Sequence, residues 1–110
     1  MASMTEIFRR IVSLIERGEV KISDHGYDEM AADSLYVRDV MESIPAAVVI
    51  EEYPDYAKGP CVLVLQKDRA GQLIHVVWGI PKGKSAPAVL ITAYRPDPRR
   101  WEVGFTRRRR

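Results

Sequence analysis

Apolar residues recur every three or four positions in the first part of the chain, a spacing typical of amphipathic helices. The pattern is clearest over residues 5–17 and stops at Gly18, a residue type that often ends helices. Val20 and Ile22 then alternate with charged residues, which indicates a short extended linker. We therefore expect the chain to begin with one amphipathic helix and an extended connection.

Two shorter helices are predicted after this connection. The first covers about residues 24–32, because Ser23 is a good N-cap and the acidic residue after it favours the positive helix end. The second runs from about 36 to 44 and stops at Pro45, which disfavours helix in the residue before it. The first half of the chain thus supplies two or three helices.

From residue 47 the period of the pattern becomes two, which is the spacing of β-strands. Four apolar strands are predicted, over residues 47–53, 61–67, 73–80 and 88–95. Short connections join antiparallel neighbours, and helices followed by strands favour a segregated α+β fold. We expect a single domain over residues 5–105, with two to three N-terminal helices packed on a four-stranded antiparallel sheet. Since the later strands are apolar on both sides, the helices, the tail or another subunit should cover the second face.

Composition is that of an ordinary globular protein, with 29% charged and 46% hydrophobic residues. The net charge is +2, and since the four terminal arginines supply +4 of it, the rest of the chain carries −2. The basic tail, residues 106–110, is therefore either a nucleic-acid-binding arm or a solvated end without a partner.

The remaining sequence signals concern the cellular compartment. Cys61 is the single cysteine and lies in an apolar run, so it is predicted to be a buried strand residue. The N-terminus lacks the pattern of a signal peptide, and no apolar run approaches the roughly 20 residues of a membrane span. We expect no membrane association and a cytoplasmic location.

Two histidines are candidates for proton transfer, because the imidazole pKa lies near neutrality. His25 is near the start of the second predicted helix, where anions are favoured; the alternative is a ring that packs on the sheet. His75 lies in the middle of a strand and is either catalytic or a satisfied core histidine. Two histidines without a further cluster predict no metal site.

Cationic and aromatic side chains could complete a site for a phosphodiester. Tyr94 and Arg95 end the last strand, and parity places Leu90, Thr92 and Tyr94 on one face and Arg95 on the other. In a ribonuclease, Arg95 or Lys67 would stabilise the charge on the phosphorane, and Tyr94 would stack on a base or donate a proton. The alternatives are that Tyr94 is a half-buried anchor and Arg95 a solvated strand end. Further candidate RNA contacts are Lys67, Lys82, Lys84, Arg99 and Arg100. The alternative is that these side chains are solvated and bind nothing.

Five blocks in a fixed order carry a family resemblance. They are Ser23-Asp24-His25-Gly26 with Glu29-Met30, Val37-Arg38-Asp39-Val40, Glu51-Glu52-Tyr53-Pro54, Leu73-Ile74-His75-Val76-Val77, and Ile91-Thr92-Ala93-Tyr94-Arg95-Pro96-Asp97. In this order they resemble a bacterial domain-of-unknown-function family, number 4258, over about residues 5–98. That family is similar to the RelE, BrnT and MqsR toxins of toxin–antitoxin pairs.

The resemblance implies a RelE-like fold, metal-independent RNA cleavage without a cofactor, and an antitoxin partner, often a zinc-ribbon and helix-turn-helix protein. It places the functional residues at His25, His75, Thr92 and Tyr94. The chain departs from the family pattern over residues 32–36, where the family has an arginine.

Two other classes compete with a ribonuclease. In a binding module without chemistry, the histidines are core residues, Tyr94 and Trp78 anchor an interface, and the protein forms a homodimer or a permanent complex. In a nucleic-acid-binding accessory protein, the arginine tail makes the contacts, and truncation at Thr106 abolishes binding.

Overall fold

The computed structural model describes residues 5–110; residues 1–4, part of the segment judged not to be a signal peptide, lie outside the described residues. The elements are α1 (Glu6–Glu16), β1 (Val20–Ile22), α2 (Asp24–Ala32), α3 (Val37–Glu42), a 3-10 turn (Ile44–Ala46), β2 (Val48–Tyr53), β3 (Cys61–Lys67), β4 (Leu73–Gly79) and β5 (Ala88–Tyr94). None of the helices within residues 5–110 is long and apolar enough to cross a membrane.

Side-chain hydrogen bonds cap the first two helices, and the Ser23 cap of α2 is the predicted one. The Thr5 hydroxyl accepts a hydrogen bond from the Phe8 amide at the start of α1, and Ser23 does the same for Gly26 in α2. The apolar stripe of α1 is buried, and its innermost residues are Phe8, Ile11 and Leu14. The three predicted helices are therefore confirmed as elements.

The sheet has five strands in the order β1-β5-β4-β3-β2. Strands β2 to β5 are antiparallel neighbours, as predicted, but β1 pairs in parallel with β5, so that Val20 lies beside Ala88 and Ile22 beside Leu90. The four-stranded antiparallel sheet was therefore wrong: the sheet is mixed, and the expected linker is its fifth strand. Parallel strands need a long connection, and here residues 23–87 form it.

A bulge in β5 changes which side chains share a face. Trp78 pairs with Leu90 and Val77 pairs with Thr92, so Ile91 is an extra residue on β5. Leu90 consequently joins the core beside the helices, whereas Thr92 and Tyr94 lie on the opposite face. The parity that grouped Leu90 with Thr92 and Tyr94 was wrong, because strict alternation does not anticipate a bulge.

The core lies between the helices and one sheet face, and the buried Gln66 and Trp78 side chains are hydrogen-bonded within it. The Trp78 indole donates to Gln66 Oε1 at 2.9 Å, and Gln66 Nε2 donates to the Val40 carbonyl at 2.6 Å. The apolar core includes Phe8, Ile11, Leu14, Met30, Val40, Val62, Val64, Ile74, Val76 and Leu90. Since buried polar groups are costly without partners, this network holds α3 in one position on β3.

The C-terminal segment covers part of the second sheet face. Residues 100–109 form a small hairpin, called the C-terminal hairpin below, in which Trp101 bridges to Arg108. Its backbone hydrogen bonds run from the Glu102 amide to the Arg107 carbonyl and from the Arg109 amide to the Arg100 carbonyl, both at 2.8 Å. The expected tail of residues 106–110 thus supplies one arm of an ordered hairpin. Cys61 in β3 is buried, as predicted.

Candidate functional site

A cavity of about 530 Å³ opens beside the exposed face of β5, within the size range of ligand pockets. Its polar lining consists of Ser23, His25, Tyr56, Lys58 and Thr92, and its apolar lining includes Ile80, Pro81, Val89 and Ile91. Within residues 5–110, no three His, Cys, Asp or Glu side chains are grouped so that they could hold a metal ion. The cavity thus combines an apolar surface with one histidine and one lysine.

Contacts between α2 and β5 place His25 at this cavity. Ser23 Oγ donates to the Ile91 carbonyl at 2.7 Å while it caps the helix, so the first turn of α2 is tied to β5. Gly26 lies so close to β5 that a Cβ would come within 3.0 Å of a backbone carbonyl oxygen. The His25 side chain remains 66% exposed, with Nε2 at 3.6 Å from Glu29 Oε1 one turn along the helix. His25 is therefore accessible and has a carboxylate beside it.

The loop between β2 and β3 supplies the opposite rim, with Tyr56 and Lys58. It is held against the end of β4, because the Lys82 amide donates to the Lys58 carbonyl at 2.9 Å. Gly59 has a φ of +127°, and a Cβ there would lie 2.0 Å from the Ile80 carbonyl oxygen, so only glycine permits this approach. Sequence reasoning treated this loop as a connection and missed both residues. The signal that could have indicated them is an aromatic residue and a lysine just before a Gly-Pro pair.

His75 occupies a different place from His25. It is 0% exposed, its Nε2 lies 2.7 Å from the Phe105 carbonyl oxygen, and its Nδ1 has no hydrogen-bond partner among the described residues. The ring meets Trp101 edge-on at 4.5 Å and Tyr94 at 5.5 Å. Burial lowers the pKa of His75. The structure therefore separates the two histidines, and the cavity holds His25.

The burial of His75 predicts a pH dependence of folding. An unfolded chain protonates this ring near its ordinary pKa of 6.5, whereas the buried ring stays neutral to lower pH. The unfolded state therefore takes up the proton first, and stability present above pH 6.5 falls below it, by up to about 1.4 kcal/mol per pH unit. Urea unfolding between about pH 7.5 and 5.5 measures this slope. His75→Gln should remove it and the control His25→Gln should keep it; equal slopes would contradict the assignment.

The other predicted site residues are not part of the cavity lining formed by the described residues. Tyr94 is half-buried against His75, and burial raises its pKa. Arg95 Nη1 donates to Asp68 Oδ2 at 2.9 Å, and the Arg95 amide donates to Asp33, which fixes this arginine at the far end of β5. The remaining predicted cations, which are exposed elsewhere on the surface, are Lys67, Lys82, Lys84, Arg99 and Arg100.

A second polar cluster joins the C-terminal hairpin to β2. The Arg108 guanidinium donates twice to the Glu51 carboxylate, at 2.8 and 3.0 Å, and lies 4.6 Å over the Trp101 ring. Tyr53 also donates a hydrogen bond to Glu51. The hydrogen bonds from Arg108 lower the pKa of Glu51. Sequence reasoning missed this cluster, since Glu51 and Arg108 are fifty-seven residues apart.

The fold and the cavity define the chain as a small α+β domain with an open, partly apolar cavity. Residues 22–95 match the family model described as Domain of unknown function (DUF4258), and the chain belongs to this family. The matched span includes α2 and β2 to β5, and so His25 and Thr92. No curated protein and no solved structure matches the chain. The family assignment is thus confirmed, whereas the likeness to RelE-type toxins stays a prediction.

Proposed function

We propose that this protein is a toxin-like, metal-independent endoribonuclease that binds an RNA strand at the cavity beside His25 and cleaves it. The observation that carries the proposal is that one accessible cavity combines an imidazole, an ammonium group and an apolar surface. These are the groups that proton transfer, phosphate binding and base contact require.

The cavity suits a single-stranded segment, because unpaired bases can leave the stack and contact apolar or aromatic side chains. The surface of Ile80, Pro81 and Ile91 offers the apolar contact, and the exposed ring of Tyr56 stands at the rim. Lys58 supplies the cation for the phosphate. It takes the part expected of Arg95 or Lys67, since Arg95 is held by Asp68 and neither residue lines the cavity.

Cleavage uses the RNA 2′-hydroxyl as the nucleophile. Neutral His25 accepts the proton from this hydroxyl while the 2′-oxygen forms a bond to phosphorus, and Glu29 stabilises the resulting imidazolium. The bond from phosphorus to the 5′-oxygen breaks, and this oxygen takes a proton from water or from the Tyr56 hydroxyl. The products are a 2′,3′-cyclic phosphate and a free 5′-hydroxyl. Lys58 and the Thr92 hydroxyl stabilise the negative charge that develops on the phosphorane.

The reaction can be tested with RNA that lacks the nucleophile. The purified protein, in buffer containing EDTA, should cleave an unstructured oligoribonucleotide and leave its 2′-O-methyl counterpart intact, with a 2′,3′-cyclic phosphate on the product. Intact RNA after prolonged incubation, or cleavage of the methylated strand, would overturn the proposed reaction. Growth arrest on expression that the product of a neighbouring gene relieves would support the toxin–antitoxin pairing.

The contribution of Lys58 to cleavage can be measured against a second lysine at the far end of the neighbouring strand. Lys58→Met should lower kcat/KM by about fivefold, since a solvent-exposed ion pair contributes up to about 1 kcal/mol. Lys67→Met is the control, because Lys67 lies at the far end of β3, about 20 Å along the strand from Cys61, and its replacement removes the same charge. A rate assay on the same oligoribonucleotide measures both variants, and equal effects would remove Lys58 from the site.

The burial of His75 favours a second candidate, a binding module without chemistry. In that class the His75 ring packs in the protein interior, and the surface binds a protein partner or a second copy of the chain. A stable homodimer in sedimentation equilibrium that leaves all RNA substrates intact would favour the module over the ribonuclease.

A further inference from the structure

We infer that the C-terminal hairpin is a fixed cationic docking surface for single-stranded RNA. The inference rests on the proposed function and deepens it, because it identifies the surface that holds the substrate strand outside the cavity. It replaces the view of the C-terminal arginines as a loose arm with one in which an ordered backbone sets their positions.

One face of the hairpin is anchored to the sheet. Trp101 is 4% exposed and packs on His75, while Arg108 makes the double contact with Glu51 and lies over the Trp101 ring. A bidentate arginine–carboxylate pair is among the geometrically most defined surface contacts. Together with the backbone hydrogen bonds across the hairpin, these contacts fix the orientation of its other face.

The other face carries an excess of positive charge. Alternation along a strand turns Arg100, Arg107 and Arg109 away from the anchored pair, and all three are exposed. Arg100 lies directly opposite Arg109, an arrangement of like charges that destabilises a strand pair. Glu102, opposite Arg107, is the acidic residue on this face. A local arrangement that disfavours folding is typical of a functional surface, and a polyanion would relieve the repulsion.

The hairpin and the cavity lie on the same face of the sheet. His75, beneath the hairpin, and Gly79, in the cavity lining, are on the same side of β4 and four residues apart, which corresponds to about 13 Å. A strand that leaves the cavity in this direction therefore meets the hairpin within a few nucleotides. This proximity makes the hairpin an extension of the cavity rather than an independent site.

Arginine chemistry favours RNA over the other polyanions. The guanidinium group binds phosphate with two parallel hydrogen bonds and also stacks on unpaired bases. Arg107 and Arg109 are two residues apart on an extended arm, or about 7 Å, which is comparable with the spacing of phosphates in an extended strand. A lipid surface would require substantial apolar area, and the exposed apolar residue at the hairpin tip is Val103 alone.

The test measures binding of the full chain to a fluorescent 2′-O-methyl oligoribonucleotide, which the proposed reaction cannot cleave. The variant Arg100→Gln/Arg107→Gln/Arg109→Gln should raise Kd at least tenfold and lower the slope of log K against log salt by about 2, as expected for three lost phosphate contacts. The control Arg10→Gln/Arg17→Gln/Arg38→Gln removes the same charge from other surfaces and should keep both values close to those of the unaltered protein. Tryptophan fluorescence checks that the hairpin stays docked in each variant.

Equal losses in the two triple variants would overturn the inference, since binding would then follow net charge alone. It would also be overturned if the hairpin variant bound normally, or if the unaltered protein preferred phosphatidylserine vesicles to RNA. Because binding is measured on an uncleavable strand, the two proposals can fail separately. Hairpin-dependent binding without cleavage of ordinary RNA would reject the reaction and retain the docking surface; cleavage with unchanged binding of the hairpin variant would do the reverse.

Discussion

Replacing His25 with glutamine is expected to lower the rate of RNA cleavage by about 10²–10⁴-fold, the usual contribution of a positioned general acid or base. Glutamine keeps a polar side chain of comparable reach but cannot exchange a proton near neutral pH. The first turn of α2 should be unaffected, because its attachment to β5 runs through Ser23 and Gly26. Single-turnover cleavage of an oligoribonucleotide measures the chemical step directly.

The control for His25→Gln is Asp28→Asn, which alters an exposed side chain of the same helix outside the cavity lining formed by the described residues. Asp28→Asn should cleave at the rate of the unaltered protein. Binding of the 2′-O-methyl strand should be similar for all three proteins, which separates a lost proton transfer from lost affinity. Full activity of His25→Gln would remove this residue from the mechanism.

Replacing Trp101 with alanine should lower the free energy of unfolding by about 3–5 kcal/mol, the range for truncating a buried aromatic residue. The indole is almost wholly buried, covers His75, and supports the Arg108 guanidinium. Its loss would open the second sheet face to water and release the C-terminal hairpin from its anchor. For a domain whose total stability is about 5–15 kcal/mol, this is a large fraction.

Urea unfolding followed by circular dichroism measures this loss, with Val103→Ala as the control at the exposed tip of the same hairpin. The control should change the free energy of unfolding by less than about 0.5 kcal/mol. Trp101→Ala should also remove most of the pH dependence assigned to His75, since a hydrated imidazole regains its ordinary pKa. A variant with normal stability and an unchanged pH slope would show that Trp101 does not cover this ring.

The sequence by itself determined the local elements, because their signals lie within a few residues. The apolar stripe of α1, the Ser23 cap of α2 and Pro45 after α3 are each read within one or two turns. The four apolar strands were equally visible in the period-two pattern. Of the candidate site, the family resemblance and the position of His25 led to His25 and Thr92.

The tertiary structure alone decided which of these residues meet. The parallel pairing of β1 with β5 joins segments at opposite ends of the chain, and the β5 bulge turns Thr92 towards the cavity. Arg108 reaches Glu51 across fifty-seven positions, so a segment predicted as a tail is joined to β2 and supports Trp101, the residue that covers His75. Local periodicity reports what each residue prefers next to its neighbours, whereas burial and pairing between distant segments are settled only when the whole chain packs at once.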